Sequence, residues 1–150
     1  PEWEGDAEWE LAGTLGFLWE DTICRALTMA GVPLVEVGEL EPDGILCSPD
    51  RIEIDPVLGL VVWDAKMTWK SIRKSPPTQR WRWLAQMKSY CRALNTLVCR
   101  IPALYACGNY APPAPVLVGV EIEFTQQELA ENWQMIVSTA NTLRRRATQP

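Results

Sequence analysis

Residues 59–67 read GLVVWDAKM, and no other stretch constrains the fold so tightly. Pro56 to Gly59 spells a hairpin turn. Beyond that turn, Leu60 to Met67 predicts a strand built for burial. Strand side chains alternate between faces, so Leu60, Val62, Asp64 and Lys66 share one side. Val61, Trp63, Ala65 and Met67 share the other and belong to a core. An acid and a base therefore project together, about 7 Å apart at their Cα atoms. Burying charge is costly unless it is paired or bound to a metal. A salt-bridged strand pair is the plain explanation of one D-x-K, and a metal site is the other.

The rest of the chain supplies the elements around this strand. Residues 10–30 carry Leu15, Leu18, Ile23, Ala26 and Leu27 at helical spacing, and Gly31 and Pro33 stop that helix. The acidic entry over 1–10, with Trp3 and Trp9, reads as loosely held. Residues 34–38 read as a short strand, and RIEID over 51–55 alternates with Ile52 and Ile54 on one face. A basic loop over 70–78 closes at Pro76-Pro77. A second helix is expected over 78–95 with Thr78 as its N-cap. Strands are expected over 97–106 and 115–124, joined by a Gly/Pro-rich loop. Thr125 opens a last helix, with Glu128 placed for a capping box. The order implies one domain over 1–150, an α/β fold with a mixed sheet and packed helices.

Composition narrows the chemistry. The chain has no His, which removes the commonest general base and transition-metal ligand. Any metal should therefore be a hard, oxygen-liking ion. Five Cys, with no C-x-x-C pair, argue against a disulfide framework and a zinc site. Reduced thiols in a cytoplasmic compartment are expected. No apolar run reaches the ~18 residues of a membrane span, and the opening residues lack the basic-then-apolar pattern expected of an export leader. Residues 1–64 hold fifteen acids and two bases, whereas 65–120 hold nine bases and no acid. Carboxylates for a cation beside Lys and Arg for a polyanion suit a metal-plus-phosphate site. Ordinary surface ion pairing between the two halves is the alternative.

Further residues sharpen the first reading. A hairpin centred near 55–59 brings Asp50 of Ser48-Pro49-Asp50 beside Asp64. Two close carboxylates repel unless a cation lies between them, and Mg²⁺ answers that conflict. Taken alone, Asp50 also fits a simple turn. In the second helix Gln86 and Tyr90 stand four apart, on one face with Gln79 and Trp83. Leu84, Met87, Cys91 and Leu94 form the expected core face. The polar-aromatic stripe reads either as a substrate-facing surface or as a solvated face.

Ser-Pro-Asp50, Asp64-x-Lys66 and Gln86-x-x-x-Tyr90, in that order, resemble the PD-(D/E)XK nuclease superfamily. The Q-x-x-x-Y element points to the branch of RecB, lambda exonuclease and YqaJ-like phage recombinases. The resemblance covers about residues 15–125. It implies a restriction-endonuclease-like αβββαβ core, here with an extra C-terminal helix. It implies Mg²⁺- or Mn²⁺-dependent hydrolysis of DNA, as an exonuclease in phage or bacterial recombination or repair. Metal ligands would be Asp50, Asp64, the Ala65 carbonyl and an acid of the first helix, Glu20 ahead of Glu10 and Asp21. Lys66 would position the attacking water. Gln86 and Tyr90 would hold the catalytic strand and touch the DNA backbone. Asp64 departs from the Glu common in this branch, and the Cys spacing of its iron–sulfur members is missing. Lys70, Arg73, Lys74, Arg80 and Arg82 come directly after the catalytic strand and are candidates for phosphate contact. Trp69 and Trp81 could stack on bases or wedge a duplex end, and core packing is an equal reading of Trp81. DNA is the expected partner, with a homo-oligomer or a recombination protein as further ones. The rival reading is a non-catalytic nucleic-acid-binding accessory module on the same fold.

Overall fold

The computed structural model describes the backbone of residues 5–106 and 115–147, with side chains from residue 14 onward in that set. Trp3, Trp9, Glu10, Cys107 and the Gly/Pro-rich loop over 107–114 lie outside what is described in full. The elements are α1 (Gly5–Met29), β1 (Arg51–Asp55), β2 (Gly59–Trp63), β3 (Lys66–Thr68), α2 (Trp81–Ala93), β4 (Val98–Tyr105), β5 (Val116–Glu123) and α3 (Gln126–Ala147).

The β1–β2 hairpin forms as the turn chemistry dictates. Asp55 Oδ1 accepts hydrogen bonds from the amides of Val57 (2.9 Å) and Leu58 (3.0 Å). Gly59 adopts φ +76°, a conformation that side chains resist. The antiparallel register runs from Asp55↔Gly59 to Arg51↔Trp63. β2 then pairs in parallel with β4, ending at Trp63↔Arg100. β3 resumes the same parallel register at Lys66↔Ala103. The expected strand over 60–67 is thus one line with a gap at Asp64-Ala65. β5 takes the other edge of β4, antiparallel along its whole length. The sheet is mixed; β1, β3 and β5 each pair on one side only, and α2 is the crossover between parallel β3 and β4.

Both faces of the sheet centre are covered. Val62, Cys99, Ile101, Ala103 and Tyr105 meet Met87, Tyr90 and Cys91 of α2 and Leu129 and Trp133 of α3. On the opposite face Val61, Trp63 and Val98 pack with Leu27, Val32 and Leu34, and Ala65 packs with Ile23 and Cys24 of α1. This is why residues 61–65 read as an unbroken buried run instead of an alternating one.

Several expectations are corrected. Helix α1 already includes residues 5–10; among its described side chains Ile23 and Cys24 are buried, whereas Leu15 and Leu18 are exposed. It ends as expected, with Gly31 at φ +92° and the Val32 amide on the Leu27 carbonyl (3.0 Å). The segment 34–38 makes a single bridge, Val35↔Ile52, in place of a strand. Thr78 does not cap α2: a 3₁₀ turn over Pro77–Gln79 intervenes, started by proline, and Arg80 flanks the helix without a side-chain cap. The box at α3 does form. Thr125 N–H donates to Glu128 Oε2 (2.9 Å), and Glu128 N–H donates to Thr125 Oγ1 (3.2 Å). Among the described residues no helix is long and apolar enough to cross a membrane.

Candidate active site

The hairpin register sets the centre of the site. One step beyond Arg51↔Trp63 lies Asp50 opposite Asp64. The gap between β2 and β3 frees the Ala65 amide, and Asp50 Oδ2 accepts it at 2.7 Å. Asp64 is 1% exposed. Its N–H donates to the Arg100 carbonyl (3.2 Å), continuing the β4 ladder. Among the described residues the only partner of its Oδ2 is the Lys66 ammonium, which lies against it. The acid and base of the D-x-K are therefore an ion pair here, on the α2 side of the sheet.

Glu20 arrives from α1. It sits one turn before Cys24, which packs on Ala65, so the same helix face that grips the sheet carries Glu20 to the strand end. Its neighbour Asp21 is engaged by Arg25 at 2.8 Å. From α2 come Gln86 and Tyr90, with Gln86 Nε2 donating to Tyr90 Oη at 2.7 Å. Glu20, Asp50, Asp64, Lys66, Gln86 and Tyr90 all line one cavity of about 610 Å³. The face assignment of α2 needs correcting. Tyr90 and Trp83 are buried in the main core and do not stand opposite it; only Gln86 of the motif remains half-exposed. The helix lies close enough to the sheet that its polar-aromatic stripe is covered by the strands.

The electrostatics result from crowding acids in a poorly hydrated place. Burial pushes Asp64 up to about 7; Lys66 opposes this, while Asp50 and Glu20 add to it. Burial also raises Asp50, against the Ala65 amide, Lys66 and Arg51. Glu20 is raised by burial and then by Asp50. Tyr90 is raised by burial and then by Asp64, so it stays a phenol with a proton to donate. Cys24, on the same cavity wall, is pushed up to about 11 by burial and remains a thiol.

Among the described residues no three acidic, Cys or His side chains are drawn together into a finished ion cage. Asp50 and Asp64 are occupied by the Ala65 amide and the Lys66 ammonium. The donor set nevertheless suits a hard divalent cation. It consists of carboxylates that repel one another, with no His and a protonated thiol. The Ala65 carbonyl belongs to the same strand gap.

The basic residues are spread wider. Lys70, Arg73, Lys74 and Arg82 are exposed, and Trp69 is 59% exposed. Arg80 is half-buried, its guanidinium 3.6 Å from the Trp83 ring centre. Lys70, Arg80 and Arg82 line a second cavity; Arg73 and Lys74 border neither. Arg51 escaped the sequence reading as a site residue. It lines the first cavity, donates to the Asp50 carbonyl (2.6 Å) and pairs with Glu36 (3.2 Å). Its position beside Asp50 in an otherwise acidic half was the available signal.

No protein-family model matches the sequence, and no curated protein matches it either. Solved structures share its fold. An alkaline exonuclease, LHK-Exo, from Laribacter hongkongensis in complex with dAMP is 16% identical, with a TM-score of 0.63 over 89% of this chain and 68% of that one. A phage-related exonuclease from Haemophilus somnus is 16% identical, with a TM-score of 0.56 over 81% and 64%. The fold is the restriction-endonuclease-like α/β fold that the motif order implied.

Proposed function

We propose that the protein is a deoxyribonuclease dependent on Mg²⁺ or Mn²⁺ that removes nucleotides from DNA ends. The carrying observation is the single cavity where Glu20, Asp50 and Asp64 meet Lys66, on a fold shared with exonucleases. Glu20, Asp50, Asp64 and the Ala65 carbonyl would hold the cation. When bound, it would supply charge to the phosphoryl oxygens and acidify a nearby water.

The chain's own groups divide the remaining work. The Lys66 ammonium neutralises Asp64 in the ion-free protein and, with a phosphate in place, stabilises the charge growing on its oxygens. Tyr90, kept protonated and fixed by Gln86, donates its O–H toward the same region. The exposed Lys70, Arg73, Lys74 and Arg82 give the DNA backbone a cationic path. A role in phage or bacterial recombination or repair accords with this reading, as does DNA as partner. The accessory-module reading predicts DNA binding without turnover.

The test is digestion of end-labelled linear DNA beside closed circular DNA. Labelled nucleotides should be released from the linear form with Mg²⁺ or Mn²⁺ and not with EDTA. Binding without any release would establish the accessory role instead.

Cation binding should also be linked to protons. Asp64 near 7 must lose its proton before it can hold an ion. Mg²⁺ affinity measured without DNA should therefore fall as pH drops below about 7, approaching tenfold per pH unit for a single competing proton. An affinity unchanged between pH 6 and 8 would refute the linkage. The sign for folding is opposite to that of an ordinary paired carboxylate. Asp64 binds its proton more tightly folded than unfolded, so ion-free stability rises as pH falls from about 7 toward 4. Asp55 and Glu128 are held low, chiefly by the Leu58 and Thr125 amides, and work the other way only below about 4.

A further inference from the structure

A second cavity, of about 680 Å³, adjoins the carboxylate one, and Gln86 is a wall of both. The two differ sharply in charge. The first is bordered by five acids; the second by Lys70, Arg80 and Arg82 and no acid. None of these three cations has an ion pair among the described residues. Arg80 is the most constrained. Its guanidinium lies over the ring of buried Trp83, 3.6 Å from the ring centre, and its Nη1 is buried without a hydrogen-bond partner among the described residues. A donor left so is costly until an acceptor arrives. Beside it Trp81 is 67% exposed, with the Arg82 guanidinium 5.8 Å from its ring centre. A planar apolar surface is thus set among unpaired cations.

We propose that this cavity is a subsite for one unpaired nucleotide of a DNA strand, its base stacked on Trp81 and its phosphate held by Arg80 and Lys70. The proposal rests on the nuclease reading of the adjoining cavity. It adds that the strand is gripped in single-stranded form beside the scissile phosphate. A base inside a duplex has both faces covered by its neighbours, so the indole takes either an unpaired base or the open face of a duplex end, and tight binding of the blunt duplex would overturn the unpaired-nucleotide assignment. A phosphate in the cavity gains a charge-assisted bond from the part of the Arg80 guanidinium that lines it. Because Gln86 borders both cavities, a nucleotide in the second lies next to any phosphate in the first.

The experiment uses the whole chain in EDTA, so that no turnover is needed. Fluorescence anisotropy measures a labelled thymidine oligonucleotide, an abasic oligonucleotide of the same length, a blunt duplex and free thymidine monophosphate. The thymidine strand should bind tighter than the abasic strand. Trp81→Ala should weaken the thymidine strand about tenfold and leave the abasic strand unchanged; Trp81→Phe should restore most of the loss. Arg80→Gln should weaken both strands. Equal loss for both strands in Trp81→Ala, or no loss in either, overturns the proposal. So does free nucleotide binding as tightly as the strand, which would mark a mononucleotide site. A protein that binds in this pattern but never cleaves leaves the subsite standing and removes the nuclease reading, so the two fail separately.

Discussion

Lys66→Ala is expected to lower DNA cleavage by about 10³-fold or more while leaving DNA binding within a few-fold of the wild type. The ammonium lies against the Asp64 carboxylate on the wall of the cavity. It is the one Lys there; the other cation of the cavity, Arg51, is engaged by Glu36 and the Asp50 carbonyl, and the chain has no His. Losing one preorganised donor to a developing oxyanion costs ~10²–10³ in turnover. Here the same change also leaves Asp64 buried without a counter-charge, which would hold the carboxyl protonated to higher pH. The loss should therefore exceed that of a single donor. The Lys70, Arg80 and Arg82 side chains lie outside this cavity, so binding survives. The measurement is initial rate on end-labelled linear DNA in Mg²⁺, with strand affinity taken in parallel in Ca²⁺. A variant retaining a tenth of wild-type cleavage would mean that Lys66 is a structural counter-ion only. Lys66→Arg should rescue poorly, because a planar fork does not replace a compact point charge.

The second large effect concerns stability. Arg100→Met is expected to destabilise the protein by about 3 kcal/mol, lowering Tm by roughly 10 °C. Arg100 gathers three carboxylates from two strands: Glu53 at 2.5 Å, Asp55 at 2.9 Å and Glu121 at 2.8 Å. Its guanidinium also stands 5.4 Å from the Trp63 ring centre. Glu53 is only 7% exposed and additionally accepts the Trp63 indole N–H at 2.9 Å. Removing the cation strands that buried carboxylate, the costly half of breaking a pair. Glu53→Gln added to Arg100→Met should recover much of the loss, since the remaining amide is neutral. The double variant, measured by denaturant melts, separates an unpaired charge from lost packing. A single variant melting within 2 °C of the wild type would show that water already screens the cluster.

How far the sequence foretold this arrangement differs by element. The hairpin was legible because Asp55, Pro56 and Gly59 are turn residues with fixed conformational roles, and its register carried Asp50 to Asp64. The α3 box was legible because it is a local contact between Thr125 and Glu128. The α2 motif was half-legible. Spacing placed Gln86 and Tyr90 together, yet burial of Tyr90 and Trp83 depends on how near the sheet lies, which no helical period encodes. The Arg100 cluster could not be read at all, since its members stand at 53, 55, 100 and 121 and meet only through strand order. The break at Asp64-Ala65 was equally hidden, because the side chain that takes up the freed Ala65 amide stands fifteen residues upstream.

That break ties the chemistry to a length of chain. Asp50 reaches the Ala65 amide only because three residues, Pro56 to Leu58, span the bend. Insert or delete one there and the strand slides a notch, presenting Pro49 or Arg51 to Asp64 in place of a carboxylate. The tolerance for indels usual in surface loops should vanish at this bend, although it lies at the far end of the hairpin from the cavity it governs.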